Sequence, residues 1–166
     1  MLDIACGMGR HMQWFAGQGF QTTGIDRNPQ ALAVASQYGA VIDADIENAP
    51  WPLMQSGQLA QFDVVVVTNY LWRALFPVIL QSLKHGGLLL YETFTSGNAS
   101  VGKPTNPDFL LHSGELLQVC QNLHIVSYEN GYLSHPSRFV QRIAAVNPHP
   151  NLPEAALPPR YPLSLK

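Results

Sequence analysis

The run Leu-Asp-Ile-Ala-Cys-Gly-Met-Gly-Arg at residues 2–10 constrains this chain more than any other feature. A short apolar segment runs into two glycines and then an amphipathic stretch. Gly7 and Gly9 lack a Cβ, so the backbone can turn sharply there and come close to a ligand. Open α/β sheets hold nucleotide-like ligands in this way, at the carboxyl end of the first strand.

The rest of the chain alternates strand-like and helix-like segments. Strands are expected over 2–6, 20–25, 40–44, 62–67 and 88–94, and the spacing predicts helices over 10–18, 31–38 and 71–83. Asn28 followed by Pro29 reads as a helix N-cap with proline in the first turn. The four valines at 64–67 fit a parallel strand buried on both faces. Residues 46–61 read as irregular, broken by Pro50, Pro52 and Gly57, and 95–107 as a polar loop that is either a lid or a static excursion. Ser113 is expected to cap a helix carrying Leu116, Leu117 and Cys120. Strands over 124–128 and 139–146 are separated by too short a segment for a parallel crossover, so they are expected to pair as an antiparallel edge hairpin. This pattern predicts one α/β domain over 1–146. The tail over 147–166 holds six prolines and is expected to be extended and weakly ordered.

Composition narrows the function. Charged residues are 12% of the chain, about half the usual share, and the formal net charge is −2. A nucleic-acid partner normally calls for a basic excess, and none is present. Two cysteines do not make a disulfide framework. With no membrane-length apolar run, no membrane partner is expected, and the default place of work is the cytoplasm. The six histidines show no ligand spacing, so no metal is expected. A dinucleotide fingerprint wants a small residue three positions after the second glycine; Met12 stands there, which counts against an NAD-linked oxidoreductase.

Asp26 lies about 20 positions beyond the glycines, well placed to accept hydrogen bonds from a ribose diol; its alternative role is a helix cap. Asp45 is the candidate acceptor for an exocyclic amine, with Asp43 and Glu47 competing for that role and a solvated loop acid as the alternative. Asn69, Tyr70, Trp72 and Arg73 follow the valine strand, and Glu92 ends the next one. Tyr70 and Trp72 either offer π faces to a cation or pack between strand and helix. Arg73 either orients an anion or forms a surface ion pair.

In their order, these signals resemble the class I S-adenosylmethionine-dependent methyltransferases. Asp3-Ile-Ala5-Cys-Gly7-Met-Gly9 is similar to the family's acidic glycine motif, with Ala5 in place of its first glycine. Phe62-Asp63 with the valines, and Leu83-Lys-His-Gly-Gly-Leu-Leu-Leu, are similar to its fourth strand and the turn into its fifth. Gly9-Arg10 and the Asn-Pro-Asp-Phe-Leu-Leu stretch at 106–111 resemble the tellurite-resistance branch.

The resemblance implies a Rossmann-like doubly wound, mostly parallel seven-stranded sheet with an antiparallel edge hairpin. It implies S-adenosyl-L-methionine as cofactor, held by Asp3, Ala5, Gly7, Gly9, Asp26, Arg27, Asp45, Ile46 and Asn69. A small-molecule acceptor would then face Tyr70, Trp72, Arg73 and Glu92. Family members usually carry helices before the first strand, and this chain opens at the strand itself. An uncovered apolar sheet face is therefore expected, and with it a homodimer or a poorly active fragment. A non-catalytic cofactor-binding or partner subunit with the same fold is the alternative.

Overall fold

The computed structural model describes residues 1–150 and 160–161. Seven strands form one sheet: β1 (Leu2–Ile4), β2 (Thr23–Asp26), β3 (Ala40–Asp43), β4 (Phe62–Thr68), β5 (Leu83–Phe94), β6 (His124–Ser134) and β7 (Ser137–Val146). Their spatial order is β3-β2-β1-β4-β5-β7-β6. The first five run parallel, and β7 is antiparallel to both β5 and β6. The helices are α1 (Arg10–Gly17), α2 (Pro29–Ala35), α3 (Phe76–Gln81) and α4 (Glu115–Val119). Strand order reverses between β1 and β4, and that reversal opens a crevice at the carboxyl ends of the strands.

The valine run is buried on both faces. Val65 and Val67 pack with Leu2, Ile4 and Leu89 of the sheet, Ile79 of α3 and Leu116 of α4. Val64 and Val66 turn the other way, toward Phe15 of α1. The sheet is therefore doubly wound, with α1 and α2 on one face and α3 and α4 on the other.

Met12 is fully buried in α1, packed with Leu32 and Ala35 of α2. The space it needs comes from the strand. A Cβ on Gly24 of β2 would stand 2.5 Å from the Met12 sulfur, so here the small residue that permits close helix–strand packing sits on the strand. At α2 the Asn28 side chain caps the helix, accepting from the N–H groups of Gln30 and Ala31 at 3.0 and 3.2 Å.

Several local expectations are corrected. β1 ends at Ile4, and Cys6 belongs to the loop. The expected helix over 71–83 divides into a 3-10 turn, Arg73–Leu75, and the short α3, which carries Pro77 in its first turn, where no N–H is needed. β5 begins at Leu83, so Gly86 and Gly87 lie within the strand. Residues 46–61 include a small antiparallel hairpin of Met54–Gln55 and Gln58–Leu59.

Ser113 does not cap α4; its hydroxyl accepts from Asn130 instead (3.0 Å). Buried Gln141, reaching across from β7, accepts from the Leu116 N–H at 3.2 Å. Most of the proline-rich tail lies outside the described residues.

Candidate active site

After β1 the backbone curls through three left-handed residues, Ala5 (φ 55), Gly7 (φ 52) and Gly9 (φ 78). Glycine takes this conformation freely, while an alanine is strained by it. A Cβ on Gly9 would fall 2.9 Å from that of Ala35, so this glycine lets the start of α1 lie against α2. A Cβ on Gly7 would meet nothing within 4 Å; the loop is open on that side.

Asp26 at the tip of β2 is tied to this loop. One carboxylate oxygen accepts the Gly7 N–H at 2.8 Å, and the other accepts the Asn28 N–H at 2.9 Å. A carboxylate has about four acceptor sites, so two remain for a ligand. The cap of α2 is Asn28 and not Asp26; Asp26 braces the turn into α2 and still presents unused acceptors.

Ala5, Ile25, Asp26, Arg27, Ala44, Asp45, Ile46, Glu47 and Tyr70 line one cavity of about 170 Å³ at the ends of β1, β2 and β3. Ile46 forms an apolar wall and also belongs to the core. Asp45 accepts from the side chain of Asn48 and the N–H of Glu47, and these bonds, the Asn48 bond foremost, hold its carboxyl below the usual range. Arg27 is exposed and approaches Glu47 at 3.7 Å. Asp43 pairs in register with Asp26 but does not line the cavity.

Asp3 is buried beneath the glycine loop with 1% of its surface exposed. Its Oδ2 has no hydrogen-bond partner among the described residues, and the His11 ring stands 3.8 Å away. Burial, only partly opposed by Arg10, pushes the Asp3 carboxyl up to about 7. Burial also lowers the pKa of His11. The Cys6 thiol is raised to about 12, again chiefly by burial, which makes it inert at neutral pH.

A second cavity, of about 250 Å³, adjoins the first. It is lined by Asn69, Leu71, Thr93, Phe94, Pro104 and Phe109, and it shares Glu47 and Tyr70 with its neighbour. Asn69 sits at φ 53, a left-handed position that asparagine tolerates better than most residues. The Tyr70 hydroxyl is buried without a partner among the described residues. Pro104 and Phe109 come from the 95–107 loop and the 3-10 turn that follows it. Asn98 fixes that loop from within, donating to the Pro104 carbonyl and accepting from the Phe139 N–H.

Three candidates lie elsewhere. Trp72 packs against the main core. Glu92 points to the α1 side of the sheet, where Arg138 (3.1 Å) and Arg142 (3.6 Å) neutralise it. Arg73 spends four hydrogen bonds on structure, two on the Glu115 carboxylate and one each on the Asp108 and Leu110 carbonyls. It anchors the wall that carries Phe109. Phe94 ends β5, where the carboxyl ends of the strands gather; Pro104 and Phe109 escaped sequence reasoning because nothing local marks a residue that a long loop folds back onto a strand end. The Asn-Pro-Asp turn at 106–108 was the available signal.

The methyltransferase-domain family matches residues 1–87, just over half of the chain. A curated protein of Geobacillus sp. (strain WCH70), provisionally named a methyltransferase, is 30% identical over 105 residues, 58% of this chain and 42% of its own length. TehB from Haemophilus influenzae has a similar fold, with a TM-score of 0.68 and 19% identity over 88% of this chain and 57% of that one. So does the N-methyltransferase NodS from Bradyrhizobium japonicum WM9, with a TM-score of 0.65 and 18% identity over 89% of this chain and 85% of that one. The chain spans less than two thirds of the first two relatives. By its family match, and with the glycine loop and strand order that accompany it, this chain belongs to the methyltransferase-domain family.

Proposed function

We propose that this chain binds S-adenosyl-L-methionine and transfers its methyl group to a small molecule. One observation carries the reading: two adjoining cavities at the strand ends share Glu47 and Tyr70, so a donor and an acceptor would meet across a common wall. The residues suit this cofactor. Asp26 retains acceptors for the ribose diol, Ile46 offers an apolar face to the base, and Asp45 stands beside it. Asp3, buried with a free oxygen, suits the cofactor's ammonium end. When bound, the cofactor supplies a methyl group already activated on a sulfonium. The protein's task is then to hold an acceptor in line and exclude water, and orientation of this kind contributes up to roughly 7–11 kcal/mol. Titration with S-adenosylhomocysteine, followed by turnover assays over small acceptors, tests the reading.

The net charge of −2 supports a small-molecule acceptor over a nucleic acid. Both cysteines are free, which supports a reducing compartment, the cytoplasm, as the place of work. No helix among the described residues is long and apolar enough to cross a membrane. A groove of about 260 Å³ lies open on the α1 face, floored by Val66, Leu90 and Ala144 and flanked by Phe15. Its half-buried Leu90 and Ala144 support self-association as a homodimer, because partly open apolar surface marks contact sites.

A further inference from the structure

We propose that the acceptor is a small amine, received in the cavity between the end of β4 and the 104–109 segment. This inference rests on the methyltransferase reading above. Three aromatic rings border the cavity, Tyr70, Phe94 and Phe109, together with the carboxylate of Glu47 and the amide of Asn69. Among the described residues, the lining holds no lysine, arginine or histidine. It therefore offers no cationic side chain of its own to pair with an anionic acceptor, and no basic nitrogen to strip a proton from a hydroxyl. Aromatic faces and a carboxylate attract positive charge.

Charge moves in the direction this lining favours. The bound ammonium first gives a proton to water, and the lone pair so freed forms the new N–C bond as the C–S bond breaks and its electron pair stays on sulfur. The positive charge passes from sulfur to nitrogen, and a primary or secondary amine then releases its proton to water. Glu47 and the rings stabilise that charge as it develops. One further feature marks the cavity as a receiving site: Phe109 keeps 43% of its surface exposed, so its ring is not consumed by the core.

The test uses the protein saturated with S-adenosylhomocysteine and three probes of similar shape, N-methylbenzylamine, benzyl alcohol and benzoate, with binding read by calorimetry. The amine is expected to bind at least tenfold more tightly than benzoate. Phe109→Ala should weaken the amine at least fivefold and leave S-adenosylhomocysteine affinity within twofold. Glu47→Gln should remove the preference for amine over alcohol. With S-adenosylmethionine, the amine alone should yield a methylated product. Equal or tighter binding of benzoate, or an amine affinity indifferent to Phe109→Ala, overturns the inference and leaves the methyltransferase reading standing. Failure of S-adenosylhomocysteine to bind at all overturns that reading, and the acceptor assignment with it.

Discussion

Asp26 accepts the backbone N–H of Gly7 at 2.8 Å, so the acidic tip of β2 and the loop after β1 form one unit. The carboxylate has a second duty at Asn28 and still holds unused lone pairs. Asp26→Ala removes both the brace and the proposed ribose contact. It should weaken S-adenosylhomocysteine by about 1–3 kcal/mol, the range for hydrogen bonds to a charged group. Calorimetry on a variant shown by circular dichroism to be folded checks this; unchanged affinity would remove Asp26 from the site.

Ala5 occupies a left-handed position, φ 55, where a Cβ is strained. Ala5→Gly relieves that strain at the expense of a more flexible unfolded chain. The net effect should be a stabilisation of about 0.5–1 kcal/mol. Urea denaturation gives the answer directly, and a lower midpoint in the glycine variant would show that the loop is not strained at this residue.

Asp3 makes stability depend on pH. Its folded-state pKa, about 7, lies above the ordinary 3.8. A raised acid binds its proton more tightly when folded, so its contribution is complete below about pH 4 and is lost as the pH climbs through 7. Between pH 4 and 7.5 the wild type should lose stability relative to Asp3→Asn by a few kcal/mol, because each pH step of one between the two pKa values removes about 1.4 kcal/mol. Paired thermal melts across that window measure the difference. Parallel curves would mean that Asp3 is ionised throughout.

Partly open apolar surface on the α1 face predicts concentration-dependent association. Sedimentation from micromolar to high concentration should show a dimer, and Leu90→Glu, which places a charge on the groove floor, should shift it to monomer. A strict monomer throughout removes self-association from the account.

The framework was legible where local chemistry decides structure. The valine run, the Asn28-Pro29 cap and the glycine loop each announce themselves within a few residues, and Asp26 follows from its spacing to that loop. The second cavity was legible only in part: Asn69 and Tyr70 line it, while Pro104 and Phe109 come from a segment far away in sequence. Arg73 sits one turn from the strand end, where an anion-binding arginine would stand, yet its guanidinium is taken up by Glu115 and two carbonyls from the far side of the loop. Glu92 points away from the face where its neighbour Tyr91 packs in the core and donates to the Tyr70 carbonyl, because successive side chains alternate along β5. Gln141 replaces Ser113 as the support for α4 because β7 brings its amide beneath the helix, and no propensity rule anticipates a cap from another strand.

The account turns on what the crevice between β1, β2 and β3 holds. Calorimetric titration of the wild-type chain with S-adenosylhomocysteine, alongside NAD, asks this most directly. One molecule of S-adenosylhomocysteine per chain should bind, with no heat from NAD. Saturable NAD binding, or no S-adenosylhomocysteine binding at millimolar concentration by a folded protein, would contradict it.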